Sequence, residues 1–275
     1  MTHCPNVKRV TNYTLQADLL FARELADMAD AISMDRFRAA DLIVTTKPDM
    51  TPVSDADKAV ETALRAAIAD SRAGDAILGE EFGIEGSSSR QWIIDPIDGT
   101  KNYVRGVPVW ATLISLAIDG VPVVGVVSAP ALGKRWWGAT GLGAFVDDAL
   151  GSLSSRSERR IRVSGVSELA DASISCSGIT RWEAAGKLEQ ILALSRAVWR
   201  TRDYGDMWPY MMVAEGLLEV SGEYDLQVYD MAALVPIVQE AGGTFTSVAG
   251  EPGPWHGSAV ATNGLVHEQV LAHLA

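Results

Sequence analysis

Acidic residues follow directly on two apolar runs in the first half of the chain. They are Glu80 and Glu81 after residues 76–79, and Asp95 and Asp98 after residues 91–94. Pro96 favours extended backbone at the residue before it. Strands that end in this way present their acids together in a crevice at the edge of a sheet. We therefore expect Asp95, Asp98 and the carbonyl oxygen of Ile97 to face one point.

Carboxylates that share a site repel one another unless a cation lies among them. Oxygen ligands with no histidine nearby favour Mg²⁺ over zinc. A simpler interpretation stays open, because Asp95 and Asp98 would also serve as turn residues. Asp230, before an apolar helical run, would serve either as a ligand or as an N-cap. Asp55, in the first turn of a predicted helix, is explained equally well by the helix dipole.

Hydrophobic periodicity predicts the elements that must position these acids. A helix is expected over residues 15–38, and a second one after Ser54, with Asp57 completing a capping box. Asp119-Gly120 is a favoured hairpin turn. Strands are predicted at 76–79, 91–95, 111–118, 121–128, 135–139, 143–146, 172–176, 198–201, 218–222, 243–247 and 258–262, and later helices at 182–194, 206–215, 231–241 and 266–274. This alternation predicts an α/β protein with α and β layers, in which helices cover sheets.

Composition excludes several classes of function. The 275 residues carry 23 Lys and Arg against 35 Asp and Glu, a net charge of −12, so nucleic-acid binding is not expected. The two cysteines, Cys4 and Cys176, form neither a disulfide framework nor a zinc pattern. No apolar run approaches the length of a membrane span, and the N-terminus lacks a signal-peptide pattern. These features predict a soluble, cytoplasmic protein without a membrane partner.

Taken together, Gly79-Glu-Glu, Asp95-Pro-Ile-Asp-Gly-Thr100 and Tyr229-Asp-Met-Ala-Ala resemble the signature of the inositol monophosphatase superfamily. The resemblance covers residues 15–275 and implies an αβαβα sandwich. Residues 1–14 are polar and aperiodic and are predicted to form a loose tail before one phosphatase domain. The Ser- and Arg-rich residues 151–160 are the predicted boundary between its halves, about 15–150 and 151–275. The resemblance also implies Mg²⁺ dependence, lithium sensitivity and a homodimer, for which the strands within 107–118 and 136–145 are candidate contact surfaces.

The resemblance further implies roles for individual residues. The metal ligands would be Glu80, Asp95, the Ile97 carbonyl, Asp98 and Asp230, which would hold two or three Mg²⁺ ions. Thr100 with Asp55 would orient the nucleophilic water, and the backbone amides of Gly99 and Thr100 would hold the phosphate. Asp98, Asp206 and Glu223 would contact the substrate. One departure is visible, because the family usually has Trp where this chain has Tyr229.

Within the superfamily, residues 95–116, 128–141 and 202–206 look most like the histidinol-phosphate phosphatases of actinobacterial type. This resemblance implies hydrolysis of L-histidinol phosphate in histidine biosynthesis. Asp206 and Glu223 would favour that cationic ester, although Asp206 as an N-cap and Glu223 as a solvated loop charge stay open. The alternatives are an inositol-1-monophosphatase, a related sugar or nucleotide phosphatase, and a catalytically silent protein that binds a phosphorylated metabolite.

Overall fold

Helical and β layers alternate through the fold. The computed structural model describes residues 13–48, 50–148 and 158–275. The helices are α1 (Leu15–Arg36), α2 (Asp55–Ser71), α3 (Thr100–Val104), α4 (Ile179–Ala184), α5 (Leu188–Ala197), α6 (Trp208–Ala214), α7 (Val228–Met231), α8 (Leu234–Glu240) and α9 (His267–Leu274). The strands are β1 (Val44–Thr46), β2 (Pro52–Ser54), β3 (Ala76–Gly79), β4 (Gly83–Glu85), β5 (Arg90–Asp98), β6 (Ala111–Ile118), β7 (Val121–Ala129), β8 (Lys134–Ala139), β9 (Gly143–Asp147), β10 (Glu158–Arg160), β11 (Ser173–Cys176), β12 (Arg200–Thr201), β13 (Val220–Tyr224), β14 (Thr244–Thr246) and β15 (Ser258–Thr262).

Two large sheets form the β layers, and β1 and β2 form a separate hairpin. The first sheet has the order β10-β9-β8-β7-β6-β5-β3-β4, in which only β3 and β5 run parallel. The second has the order β12-β11-β13-β15-β14, with β11 parallel to both of its neighbours. The parallel pairing of β3 with β5 ends at Gly79 and Ile94, so the next residues, Glu80 and Asp95, lie at the same edge.

Apolar faces hold the five layers together. α1 and α2 pack on one face of the first sheet around Leu25, Leu64 and Trp92. Between the two sheets lie α6 and α8, and α8 is apolar on nearly every side because it contacts both β layers. A third cluster joins α4, α5 and α9 to the outer face of the second sheet. The predicted αβαβα sandwich is thus confirmed.

Local signals in the sequence located several elements correctly. Ser54 caps α2, and the capping box with Asp57 is present. Asp119 and Gly120 both have positive φ, 50° and 80°, as a tight hairpin turn requires. The first helix ends at Arg36, two residues before its predicted end. β3, β6 and β15 begin and end where predicted.

Other predictions were wrong. The helix predicted at 182–194 is two helices, because the chain turns at Gly186, where φ is 71°. The one predicted at 231–241 divides into α7 and α8. β1, β2, β4 and α3 were not predicted, since they are too short for their periodicity to stand out.

Three further predictions concern the ends and surfaces of the domain. Residues 1–12 of the predicted tail and 151–157 of the predicted boundary lie outside the described residues, whereas residues 158–160 form β10 in the first sheet. Within the candidate dimer surfaces, β6 and β8 are buried between helices, so these two strands offer no contact surface to a second chain. Among the described helices, none is long and apolar enough to cross a membrane.

Candidate active site

Three carboxylates meet where β5 ends against α7. One oxygen each of Asp95, Asp98 and Asp230 lies within 4.8 Å of the other two. Asp95 is almost wholly buried, and the other two are partly accessible from a cleft. The sequence predicted all three as metal ligands, and the structure brings them together from segments more than 130 residues apart.

A break in the register of β5 turns Asp95 and Asp98 towards the same side. The pairing with β6 shifts between these two residues, so side chains that would otherwise lie on different faces converge. Asp95 Oδ1 accepts the Ile97 N–H at 3.0 Å, and Asp98 Oδ2 accepts the Met207 N–H at 2.8 Å. The bend is further fixed by Thr112, whose hydroxyl donates to the Pro96 carbonyl at 2.8 Å.

Asp230 comes from the first turn of α7. It is not the N-cap, because that position belongs to Gln227, whose N–H donates to Asp230 Oδ2 at 2.7 Å. The carboxylate therefore completes a capping box and faces the cluster as well. Tyr229, where the family usually has Trp, is partly buried and lines the same cleft.

The electrostatics of the cluster call for a cation. Burial raises the pKa of Asp95 and of Asp98 well above the usual range, and the negative charges around them add to the effect. Burial also raises the pKa of Asp230 to about 7. These groups ionise with difficulty alone, and a divalent ion among them would offset both the burial and the repulsion. The residues present therefore fit a hard metal ion with oxygen ligands.

Glu80 lies beside this cluster and forms an ion pair with a lysine. Its charge raises the pKa of both Asp95 and Asp230, so it is a neighbour of the cluster. Lys47, which precedes the turn between β1 and β2, places Nζ 2.8 Å from Glu80 Oε1 and 2.6 Å from Glu81 Oε1. The sequence analysis assigned no role to Lys47, because nothing local indicates that the hairpin folds over the cluster.

Thr100 is paired with a different aspartate from the one predicted. Its hydroxyl oxygen lies 3.3 Å from Asp57 Oδ1 and 3.0 Å from the Ile97 carbonyl oxygen. The predicted partner, Asp55, instead accepts from Arg36 at 2.8 Å and is a helix-start residue on another side of α2. Side chains two residues apart on an α-helix point in directions that differ by about 200°. Asp55 and Asp57 therefore cannot face the same group. The assignment of Asp55 to the catalytic pair was wrong.

Gly99 and Thr100 begin α3 directly beside the cluster. Gly99 has φ of 84°, and a Cβ there would lie 3.0 Å from the Val109 carbonyl oxygen and 3.2 Å from the Asp206 carboxylate. Only glycine fits this turn without strain. The first N–H groups of a helix have no partner within the helix, so Gly99 and Thr100 stay candidates for holding a phosphate.

Asp206 reaches the site from the loop before α6. It is not an N-cap, since α6 starts at Trp208 after Met207. Its φ of 50° is in the left-handed region, and Asn102 Nδ2 donates to its Oδ2 at 2.7 Å. Its charge is the largest charge effect that raises the pKa of Asp98. Asp206 therefore faces the acidic cluster.

Glu223 lines an inner cavity of about 130 Å³ together with Asp98, Asp206 and Asp230. It is buried and not a solvated loop charge, and burial raises its pKa to about 8. Arg181 Nη1 donates to Glu223 Oε1 at 2.9 Å. An outer cavity of about 250 Å³, lined by Glu80, Thr100 and Tyr229 among others, shares Arg181, Asp206, Asp225 and Asp230 with the inner one. Arg105, a basic residue close to the motif in sequence, lines a separate depression.

Because the pKa of Glu223 is raised, we expect the stability of the metal-free protein to depend on pH. The pKa of Glu223, about 8, lies above its unfolded value, so the folded state binds this proton more tightly. Its contribution to stability is complete below about pH 4.5 and is lost as pH rises through about 8. We expect the free energy of unfolding in EDTA, measured by urea titration, to fall across that window. Glu223→Gln should make the curve flatter, and an unchanged curve would contradict the prediction.

Sequence comparison places the chain among known phosphatases. The profile of the inositol monophosphatase family matches residues 15–275. A histidinol-phosphatase of Streptomyces coelicolor is 56% identical over 261 residues, which cover 94% of this chain and 96% of that protein. A histidinol-phosphatase of Mycobacterium tuberculosis is 53% identical over 260 residues, 94% of this chain and 97% of that protein.

Solved structures share the fold at lower identity. The SuhB extragenic suppressor protein of Bartonella henselae superimposes with a TM-score of 0.83 at 28% identity, covering 94% of this chain and 98% of its own. An inositol monophosphatase of Anabaena gives a TM-score of 0.79 at 30% identity, covering 94% of this chain and 96% of its own. The layered sandwich described above is therefore a known architecture.

Proposed function

The chain belongs to the inositol monophosphatase family and is a phosphatase, and we propose that its substrate is L-histidinol phosphate, which it hydrolyses to L-histidinol and phosphate. The observation that carries the proposal is the inner cavity beside the acidic cluster, whose lining sets Asp206, Glu223 and Asp225 against one basic residue, Arg181. An ester whose organic part carries an ammonium group and an imidazole matches such a lining. The identities of 56% and 53% to histidinol-phosphatases support the same choice.

The cofactor in this proposal is Mg²⁺, two or three ions held by Glu80, Asp95, the Ile97 carbonyl, Asp98 and Asp230. Mg²⁺ bound there would supply charge neutralisation for the phosphate and a lowered pKa for a water molecule. Carboxylate and carbonyl oxygens are the ligands this ion prefers. The raised pKa values of Asp95 and Asp98 support the assignment, because a bound cation would offset their burial.

The other residues of the site position the reactants. Thr100 donates its hydroxyl hydrogen to Asp57 and accepts from the attacking water with a lone pair. Asp57, whose pKa is raised by burial, is the base that takes the proton. The N–H groups of Gly99 and Thr100 hold the phosphate. Asp98, Asp206 and Glu223 contact the organic part of the ester.

Wider features of the proposal follow from the family. We include a role in histidine biosynthesis, a cytoplasmic location, a homodimer and sensitivity to Li⁺. The dimer needs a surface other than β6 and β8, which helices cover. Sedimentation of the purified protein tests the dimer, and Li⁺ titration of the Mg²⁺-activated enzyme tests the sensitivity.

A phosphate-release panel tests the substrate. We expect the highest kcat/KM for L-histidinol phosphate among that ester, inositol 1-phosphate, fructose 1,6-bisphosphate and 3′-phosphoadenosine 5′-phosphate, and no turnover without Mg²⁺. The likeness to an inositol monophosphatase of Anabaena makes inositol 1-phosphate the second candidate. Equal or faster release from inositol 1-phosphate would refute the substrate assignment. Absence of release from all four esters would favour a silent binding protein.

Glu223→Gln should raise KM for a cationic ester more than KM for a neutral one. A bound ammonium group would favour the ionised form of Glu223. Glutamine keeps the size of the side chain but cannot ionise, so this attraction is lost. We expect KM for L-histidinol phosphate to rise about 10-fold, the scale of one charge-assisted hydrogen bond. The control is inositol 1-phosphate on the same variant, for which KM should change little. An equal change for both esters would contradict the assigned contact.

A further inference from the structure

Glu61 is a buried carboxylate outside the acidic cluster. It lies on α2, one helical turn after Asp57, and its side chain has no exposed surface. Its Oε2 accepts the Glu81 N–H at 2.7 Å, and its Oε1 accepts the Phe82 N–H at 3.2 Å. Arg65 Nε donates to Oε1 at 2.8 Å. Three donors thus converge on one buried charge.

The backbone that Glu61 holds is the turn that carries Glu80. On its other side this turn is tied to β5, since the Glu80 N–H donates to the Ile94 carbonyl at 3.2 Å. Ile94 is the residue immediately before Asp95. The turn is therefore fixed between α2 and the strand that supplies two of the clustered aspartates.

Gly79 shows how closely the carboxylate is fitted to this turn. A Cβ at residue 79 would lie 2.0 Å from Glu61 Oε1 and 2.4 Å from its Cδ. Separations under 3 Å force a shift of one partner, and Glu61 can shift only by weakening the hydrogen bonds that it accepts from Glu81, Phe82 and Arg65. The glycine is needed at this position for space rather than for its backbone angles.

We propose that Glu61 is a positioning residue for metal binding: it fixes the backbone of residues 80–82 so that the Glu80 carboxylate faces Asp95 and Asp230. The inference rests on the proposed metal-dependent function and deepens it. Positions four apart lie on one face of a helix. The same face of α2 therefore orients Thr100 through Asp57 and the Glu80 turn through Glu61.

Glutamine cannot replace Glu61 without loss. A carboxylate accepts on both oxygens, whereas an amide accepts on one and presents an NH₂ group on the other side. In Glu61→Gln a donor would face either a backbone N–H of the turn or the Arg65 guanidinium. The turn must then move, and the Glu80 carboxylate moves with it.

Calorimetric titration of Mg²⁺ into metal-free protein tests the proposal without relying on turnover. For Glu61→Gln we expect the Kd for Mg²⁺ to rise about 10-fold or more, the usual effect of losing a residue that supports a metal ligand. The matched control is Glu219→Gln, another buried glutamate that accepts a backbone N–H, from Ser173 at 2.6 Å, in the second sheet. It should lower the thermal midpoint comparably and leave the Kd for Mg²⁺ within about twofold of wild type.

A Kd for Mg²⁺ in Glu61→Gln equal to that of wild type would overturn the proposal and leave Glu61 a packing residue. If that variant does not fold, Gly79→Ala displaces the same carboxylate, because the added Cβ would lie 2.0 Å from Glu61 Oε1, and the same rise in Kd is expected. Gly79→Ala should also change Kd much less in a Glu61→Ala background, where the carboxylate is gone. A wild type that binds Mg²⁺ but hydrolyses no ester would refute the proposed function alone, since the calorimetry still decides the role of Glu61.

Discussion

Asp98→Asn is expected to lower kcat for L-histidinol phosphate by about 10³-fold or more at saturating Mg²⁺. Asp98 is one of three clustered carboxylates and also lines the inner cavity. The amide removes one negative charge from the ligand set, so both the metal affinity and the electrostatic environment of the phosphate change. Phosphate release in single-turnover and steady-state assays measures the loss.

The fold of Asp98→Asn should survive. Its carboxylate accepts the Met207 N–H at 2.8 Å, and the asparagine oxygen can keep that bond. Burial and the neighbouring carboxylates raise the pKa of Asp98, so the neutral amide removes their mutual repulsion. The thermal midpoint in EDTA should therefore stay the same or rise. Asp70→Asn on the exposed side of α2 is the control for an acid-to-amide change away from the site. Retained activity in Asp98→Asn would exclude this residue as a ligand.

We expect kcat of Asp57→Asn to be about 10²-fold lower than kcat of Asp55→Asn. Asp57 lies 3.3 Å from the Thr100 hydroxyl oxygen, and general base catalysis is worth about 10²-fold to 10⁴-fold. We therefore expect kcat to fall by about 10²-fold or more in Asp57→Asn, with KM much less affected. Asp55 pairs with Arg36 away from the cluster, so its variant should retain nearly all activity.

The stability of this pair of variants provides the check. Asp57→Asn also weakens the capping box of α2, which costs about 1 kcal/mol. Asp55→Asn loses a partly exposed ion pair with Arg36, which contributes little to stability. The two variants should therefore unfold at similar urea concentrations while their kcat values differ greatly. The opposite order of kcat would restore the original pairing of Asp55 with Thr100.

The ligand candidates could be predicted from the sequence because each is marked locally. Glu80, Asp95 and Asp98 follow apolar runs, and a strand that ends in acids presents them at an edge whatever the rest of the chain does. Asp230 stands at the start of an apolar helical run. The parallel pairing of β3 with β5 brings two of these ends together, and the sequence pattern was sufficient to predict a shared crevice.

The partner of Thr100 could not be predicted in the same way. Asp55 and Asp57 both lie in the first turn of α2, and both satisfy the helix dipole. Which of them faces Thr100 depends on how α2 is rotated against the first sheet, a property of packing around residues such as Val60 and Leu64. The same limit applies to Asp206, where a helix start was predicted and a left-handed turn is found.

The sequence by itself determined the layered fold, the clustering of Asp95, Asp98 and Asp230 and the family, because these depend on periodicity and on motifs that are contiguous in the chain. Only the tertiary structure decided the contacts between segments distant in sequence. These are Lys47 beside Glu80, Asp57 beside Thr100, Arg181 beside Glu223 and Glu61 beneath the Glu80 turn. Each depends on the relative rotation and distance of packed elements, which the burial of whole apolar faces sets and which no local pattern encodes.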